Sequence, residues 1–171
     1  MTLLSICIPS FNRLDCLENC LESILISSRN VNDFNFEVCI SDNFSSEDPI
    51  SIINKYKKDL KIIYNRNQKN LGFALNAIKT VKLSKGKYAW LIGNDDLILP
   101  NTLNDLKKIF QNNFKTDYFF INSYYLSSKY LENFSHPFNT SNLNYERMKK
   151  LSKVEKNKNV HFWDVIDPDV S

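Results

Sequence analysis

The sequence predicts an α/β fold, a mostly parallel sheet flanked by helices, and three observations predict it. Short apolar runs bounded by turn residues alternate with helix-periodic segments through residues 3–123, the pattern of repeated strand–helix units. At 171 residues the chain suits a single domain. Hydrophobic residues at 43% and charged residues at 24% are globular composition, and twelve Phe, eight Tyr and two Trp supply bulk for a core.

Each element has a local cause. Leu3 to Ile8 is an apolar run stopped by Pro9 and reads as a buried strand. Asn12 is placed to cap the next helix, on which Leu14, Leu17, Cys20, Leu21, Ile24 and Leu25 recur on one face. Phe36 to Ser41 is a second strand, ending at Asp42. Pro49 suits the first turn of a helix that turns Ile50, Ile53, Tyr56 and Leu60 inward. Lys61 to Asn65 is a short third strand. Phe73, Ala77, Ile78 and Val81 mark another helix, and Gly86 follows its end as a stop. Tyr88 to Ile92 is a fourth strand, broken at Gly93. Leu103, Leu106, Ile109 and Phe110 line one side of a helix that begins after Pro100, and Asp117 to Asn122 makes a further strand.

From Tyr124 the periodicity fades into Asn, Ser and Lys. Residues 1–123 therefore read as the core and residues 124–171 as a polar C-terminal segment. Tyr145 to Lys158 has the pattern of a polar helix. Its Lys149, Lys150, Lys153, Lys156 and Lys158 read as a solvated face or as a patch drawn to anionic lipid headgroups. The high Asn and Lys content of the whole chain is given no functional weight.

Several function classes are excluded early. A net charge of +3 is too small to imply a nucleic-acid partner. Only three Gly are present, and Pro9-Ser10-Phe11-Asn12-Arg13 stands where a Gly-rich dinucleotide loop would follow the first strand. The start lacks a basic n-region, and no run approaches the roughly 18 apolar residues of a membrane span. The chain reads as cytoplasmic, with attachment to the inner face of the membrane as the second reading of the lysine patch. Cys7 and Cys39 fall inside strands as buried thiols, and Cys16 and Cys20 share one helix face.

In sheets of this kind ligands bind beyond the carboxyl ends of the strands, where the crossover direction changes. That rule selects Pro9 to Arg13, Asp42 to Ser46, Arg66 to Gly72 and Gly93 to Asp96. Adjacent Asp95 and Asp96 repel each other unless a cation joins them, and carboxylate oxygens suit Mg²⁺ or Mn²⁺. Their bland reading is a turn and helix cap.

These segments together resemble family 2 glycosyltransferases of the GT-A (Rossmann-like) fold. Ser5-Ile6-Cys7-Ile8-Pro9-Ser10-Phe11-Asn12-Arg13 is similar to that family's opening strand and loop. Glu37 to Asp48 is similar to its second strand and acidic, Ser-rich turn, and Asn70-Leu71-Gly72-Phe73 to its Asn-x-Gly-Phe segment. Lys85 to Asp96 is similar to the approach to its metal-binding Asp-x-Asp. The likeness covers roughly residues 3–123 and looks closest to bacterial surface-polysaccharide sugar transferases of the abequosyltransferase kind.

The resemblance implies roles. Asp95, with Asp96 beside it, would hold Mn²⁺ or Mg²⁺; Gly93 stands where the family has its first Asp, which leaves Asn94 or Asp96 to contribute. Pro9, Ser10, Phe11 and Arg13 would wall the nucleotide, Asp42 would meet the edge of the base, and Arg66 would offer its fork to base or phosphate. The residues allow other readings too: Asp42 as an Asx-turn initiator, Arg13 as surface charge, Arg66 as a solvated loop residue, Asn76 as a packing residue. The partners implied are a nucleotide-diphosphate sugar, UDP-sugar favoured, and a saccharide or lipid-linked acceptor, with no nucleic acid. The family's general base belongs to a downstream acceptor half, of which residues 124–171 would be a shortened start. Asp164, Asp167 and Asp169 are the acids there, and no motif singles one out. The alternative function is a non-catalytic module that binds nucleotide sugar without transferring it.

Overall fold

Runs of Val, Ile, Leu and Cys form the two central strands because every second side chain then has a covered face on which to land. The computed structural model describes residues 1–112, 115–144 and 148–151. The order is β1 (Leu4–Ser10), α1 (Leu14–Arg29), β2 (Phe36–Asp42), α2 (Ile50–Tyr56), β3 (Ile62–Arg66), α3 (Phe73–Lys82), β4 (Tyr88–Leu91) and α4 (Thr102–Asn112). A short helix, α5 (Ser128–Leu131), and a 3₁₀ turn at Thr140–Asn142 follow. The four strands pair in parallel in the order β3-β2-β1-β4.

The chain lays β1, β2 and β3 outward in one direction and then returns to place β4 on the other side of β1. Right-handed crossovers therefore put α3 on the opposite face from α1 and α2. On the α1 face Leu4, Ile6, Ile8, Val38 and Ile40 meet Leu17, Leu21, Ile24, Ile53, Tyr56, Leu103, Leu106 and Phe110, which form one apolar cluster. Tyr88 and Phe110, stacked at 4.7 Å between ring centres, and Phe119, edge-on to both, extend it at the β4 edge.

The α3 face is different. Ser5, Cys7, Glu37, Cys39 and Ser41 alternate onto it, with Cys7 and Cys39 directly paired in register. Glu37 is fully buried; it accepts hydrogen bonds from Ser5 Oγ (2.9 Å) and Lys85 N (2.8 Å) and pairs with Lys61 Nζ at 2.8 Å. Against this polar floor α3 turns Asn76, Ala77 and Thr80 inward. Phe73, Ile78 and Val81, which with Ala77 mark this helix in the sequence, are 75%, 52% and 37% exposed. The apolar pattern places that helix, but several of its apolar residues point outward because the sheet beneath also offers hydrogen-bonding groups such as Ser41.

Other expectations are also corrected. Pro9 does not stop β1, which runs to Ser10. Cys7 O accepts from Ile92 N on the β4 side, whereas Ser10 O accepts from Asn43 N on the β2 side. Alternation puts the Pro9 nitrogen on the β4 side, beyond the last β4 pair at Cys7↔Leu91, so no ladder bond is lost. Ile50 is 40% exposed on the outer side of the first turn of α2. Gly86 lies past the Leu83 cap, and its need for no side chain comes from β1: a Cβ there would stand 2.7 Å from Ser5 N. Residues 117–122 form no strand ladder; Phe119 is held beside β4 by ring contacts instead. Residues 128–143 fold back on α1, with Phe138 buried, its N–H donating to Asn19 Oδ1 at 2.7 Å and His136 2.8 Å from Glu18. The polar helix expected for Tyr145 to Lys158 falls mostly outside the described residues, as do Asp164, Asp167 and Asp169.

Two outcomes test this layering. Leu21→Ala, in the apolar cluster, should cost about 2–5 kcal/mol in urea unfolding, while Ile78→Ala on the outer side of α3 should stay within about 0.5 kcal/mol. For Glu37, burial alone would raise its pKa, but the Lys61 ammonium and the two hydrogen bonds outweigh it and hold the carboxyl below the ordinary glutamate value. Its contribution is therefore present above that ordinary value and lost as pH falls through the lowered one. Stability of the native protein should fall more steeply than that of Glu37→Gln between about pH 5 and about pH 3, followed by denaturation at each pH.

Candidate functional site

The reversal of strand order falls between β1 and β4, so the crevice of this sheet opens where their carboxyl ends diverge. β1 leaves through Phe11, Asn12 and Arg13, and β4 leaves through Gly93 to Asp96. Asn12 and Arg13 both have left-handed backbones, with φ of 54° and 52°, a conformation that disfavours L-residues by about 1–2 kcal/mol each. The surroundings enforce it. The Asn12 N–H donates to Ser45 Oγ at 2.7 Å, and its side-chain carbonyl accepts from Ser46 N at 2.9 Å. Asn94 Nδ2 donates to the Asn12 carbonyl at 3.3 Å and to Ser10 Oγ at 3.4 Å. Asn12, expected to cap α1, instead ties the β1 exit to the β2 loop, and α1 begins after Arg13 without a side-chain cap.

Arg13 reaches across the crevice. Its Nη1 lies 2.8 Å from Asp95 Oδ2 and its Nη2 3.4 Å from Asn94 Oδ1. Asp96 Oδ2 accepts from the Gly93 N–H at 2.6 Å. A Cβ at Gly93 would lie 2.6 Å from Asp95 Oδ1 and 3.3 Å from Asp96 Oδ2. The space of the missing first carboxylate is thus filled by the next two. Asp95 Oδ1 and Asp96 Oδ2 both lie near the space above Gly93, and carboxylate oxygens are the ligand type that suits Mg²⁺ and Mn²⁺. No third His, Cys, Asp or Glu joins them among the described residues, so water or ligand oxygens would complete the shell.

At the other end of the crevice Asp42 is fully buried. Its Oδ1 accepts from Ser45 N (3.2 Å) and Ser45 Oγ, and its Oδ2 faces Arg66 Nε at 3.4 Å. Arg66 also donates to Ser45 O at 2.7 Å, pairs with Asp48 at 3.3 Å and stacks over Phe44 at 5.9 Å from the ring centre. Asp42 thus makes the Asx-type turn with one oxygen and pairs with Arg66 through the other. Asp42 Oδ2, Arg66 Nη1 and Tyr64 Oη are all buried here, the first two held in the ion pairs with Arg66 Nε and Asp48. Burial, with the Asp42 carboxylate adding to it, pushes the Tyr64 phenol up to about 12. No sequence motif singles out Tyr64, although it stands two residues before Arg66 and therefore on the same strand face. Pro9 and Ser10 are buried in β1, and Phe11 at 42% exposure presents a ring to solvent.

A cluster of asparagines sets the level of these loops, although composition alone gives Asn no functional weight. Asn43 Nδ2 donates to Asn70 Oδ1 (2.8 Å), while Asn43 Oδ1 accepts from Leu71 N (2.8 Å) and Asn67 Nδ2 (3.1 Å). Asn76 Oδ1 accepts from Asn67 Nδ2 (2.9 Å) and Ser41 Oγ (2.8 Å), and its Nδ2 donates to Ser41 O at 2.9 Å. The ends of β2 and β3 and the start of α3 are therefore bound by side-chain amides.

Residues 5–163 match the family profile described as Glycosyl transferase family 2. Over 105 residues the chain is 39% identical to the abequosyltransferase RfbV of Salmonella typhimurium, covering 59% of this chain and 30% of that protein. It is 35% identical over 100 residues to the chondroitin synthase of Pasteurella multocida, covering 58% of this chain and 10% of that one. The chain thus spans a third or less of the length of these relatives. The fold is similar to that of S. aureus TarS 1–349 in complex with UDP, with TM-score 0.59 at 22% identity over 66% of this chain and 33% of that one. It is also similar to the mannosyltransferase PcManGT from Pyrobaculum calidifontis in complex with GDP-Man and Mn²⁺, with TM-score 0.53 at 18% identity over 63% and 32% of the two chains.

The asparagine cluster carries a test. Asn76→Ala leaves Ser41 and Asn67 with unmet buried groups and should cost about 1–3 kcal/mol in urea unfolding. A loss under about 0.5 kcal/mol would show that the cluster does not hold the loops.

Proposed function

The chain belongs to glycosyl transferase family 2, and from that premise we propose that it binds a nucleotide-diphosphate sugar across the carboxyl ends of β1, β2 and β4. In the whole protein this donor half would serve transfer of the sugar to a polysaccharide or lipid-linked saccharide in bacterial surface-glycan synthesis. The observation that carries the reading is the pair Asp95 and Asp96, closing over Gly93 at the point where strand order reverses. Residues 1–123 would form the donor core and residues from 124 the start of the acceptor region. Peripheral attachment to the inner face of the membrane, through the basic run that starts at Lys149, belongs to the same proposal.

In this reading the base lies at the β2–β3 end. A uracil edge offers one N–H between two carbonyls. The Asp42 carboxylate would accept from that N–H, and the Arg66 fork would turn to a neighbouring carbonyl, an approach that requires their present ion pairs to loosen. TarS, whose fold this chain shares, has been solved with UDP and with UDP-GlcNAc. Phe11 would give the base or ribose an aromatic face, and the Pro9–Ser10 backbone and Asn94 would hold the crevice floor. Asp95 and Asp96 would hold Mg²⁺ or Mn²⁺. Such a cation supplies positive charge to a diphosphate whose negative charge grows as the sugar–oxygen bond breaks. The acceptor hydroxyl needs a base within about 3 Å, and none is assigned among the described residues.

Calorimetry of the 171-residue chain with UDP is the test. Affinity should be at least about tenfold higher with Mn²⁺ than with chelator, which is about 1.4 kcal/mol. Asp95→Ala should remove most of that difference. Equal affinity of the native chain in both conditions would sink the metal role.

A further inference from the structure

We propose that Arg13 is the counter-ion of Asp95 in the metal-free protein and becomes a ligand of the donor's diphosphate once a divalent cation takes that carboxylate. Cation loading is then an exchange at Asp95, not a simple addition. This rests on the reading that Asp95 holds the metal.

The contact is placed by the backbone and weakly held by the side chains. Arg13 stands on the stapled left-handed turn after Asn12, so its Cα cannot drift from the crevice. Its guanidinium makes two contacts, 2.8 Å to Asp95 Oδ2 and 3.4 Å to Asn94 Oδ1. The Arg13 and Asp95 side chains are 58% and 50% exposed, so solvent screens the pair and little resists its separation. Arg66, by contrast, is locked by Asp42, Asp48 and Ser45 together.

Charge drives the exchange. Asp95, Asp96 and Arg13 sum to one net negative charge. A divalent cation brings a second positive group to the Asp95 carboxylate, and two cations on one carboxylate repel. The cluster then carries one net positive charge, which complements a diphosphate. The freed fork lies one residue before Leu14, where α1 begins and no side chain caps its first N–H groups. Arginine suits the task because its planar fork takes phosphate oxygens in pairs. Metal and donor would thereby bind cooperatively, each favouring the position of Arg13 that the other needs.

The two halves of the proposal predict opposite signs for one substitution. Arg13→Met keeps the stem and removes the charge. It should bind Mn²⁺ alone about two- to fivefold more tightly than the native chain, read by electron paramagnetic resonance without nucleotide. It should bind UDP less tightly when Mn²⁺ is saturating, and Arg13→Lys should recover only part of that loss. On the native protein, Mg²⁺ titration should shift the Arg13 side-chain Nε–H resonance, a readout independent of whether the variants fold. Equal Mn²⁺ affinity of the native and Arg13→Met chains, with Asp95→Ala binding none, would overturn the exchange and leave the metal reading standing. Native Mn²⁺ affinity in Asp95→Ala would overturn both. An Arg13 resonance unmoved by saturating Mg²⁺ would also overturn the exchange.

Discussion

β1 is hydrogen-bonded to β2 through seven residue pairs, Leu4↔Phe36 to Ser10↔Asp42, but to β4 through only four, ending at Cys7↔Leu91. That stagger is the constraint on which the site depends. β1 and β2 run on together while β4 has already turned away, so a gap opens on one side of β1 at its carboxyl end. Pro9 is tolerated at that gap because nothing there needs its missing N–H. Gly93, Asn94, Asp95 and Asp96 fill the gap from the β4 side and Arg13 closes it from the β1 side. The left-handed turn at Asn12 and Arg13 is the bend required to leave a strand paired to its last residue and enter α1 at once.

Much of the architecture was legible because the α1 face is hydrocarbon on both sides. Leu17, Leu21 and Ile24 repeat at helical spacing for the reason that Ile6, Ile8, Val38 and Ile40 wait beneath them, and periodicity reads that kind of contact well. The strand-end rule then located the loops at Arg13, Asp42, Arg66 and Asp95 without any knowledge of side-chain direction. The face of α3 was only partly legible. Asn76 reads as a packing residue in the sequence and is one, but the pattern gives no sign that Thr80 also turns inward or that Ser41 and Asn67 are what Asn76 packs against.

The same cause hid Asn43, Asn67 and Tyr64. A buried amide cluster has no period, and its members come from the loops after β2 and β3 and from α3, separated in sequence. Each asparagine alone resembles a turn residue. Only the geometry shows that one side-chain carbonyl, Asn43 Oδ1, receives both Asn67 and Leu71, so that the β3 loop and the start of α3 are fixed relative to β2. Asp42 shows why motif and turn chemistry were hard to separate: one of its oxygens makes the turn and the other is turned to Arg66.

The sheet is thus covered by two unlike layers, and they respond differently to temperature. Detaching α1 would expose Leu17, Leu21, Ile24 and Leu25 to water, with the large positive heat-capacity change of apolar hydration. Detaching α3 would expose Asn76, Ala77 and Thr80 over Ser5, Cys7, Glu37, Cys39 and Ser41, a more polar surface whose hydration raises heat capacity less. Partial opening at α3 therefore has a flatter free-energy profile with temperature than global unfolding. Amide hydrogen exchange across a temperature series would separate the two as distinct cooperative units, with the asparagine cluster around Asn76 belonging to the flatter.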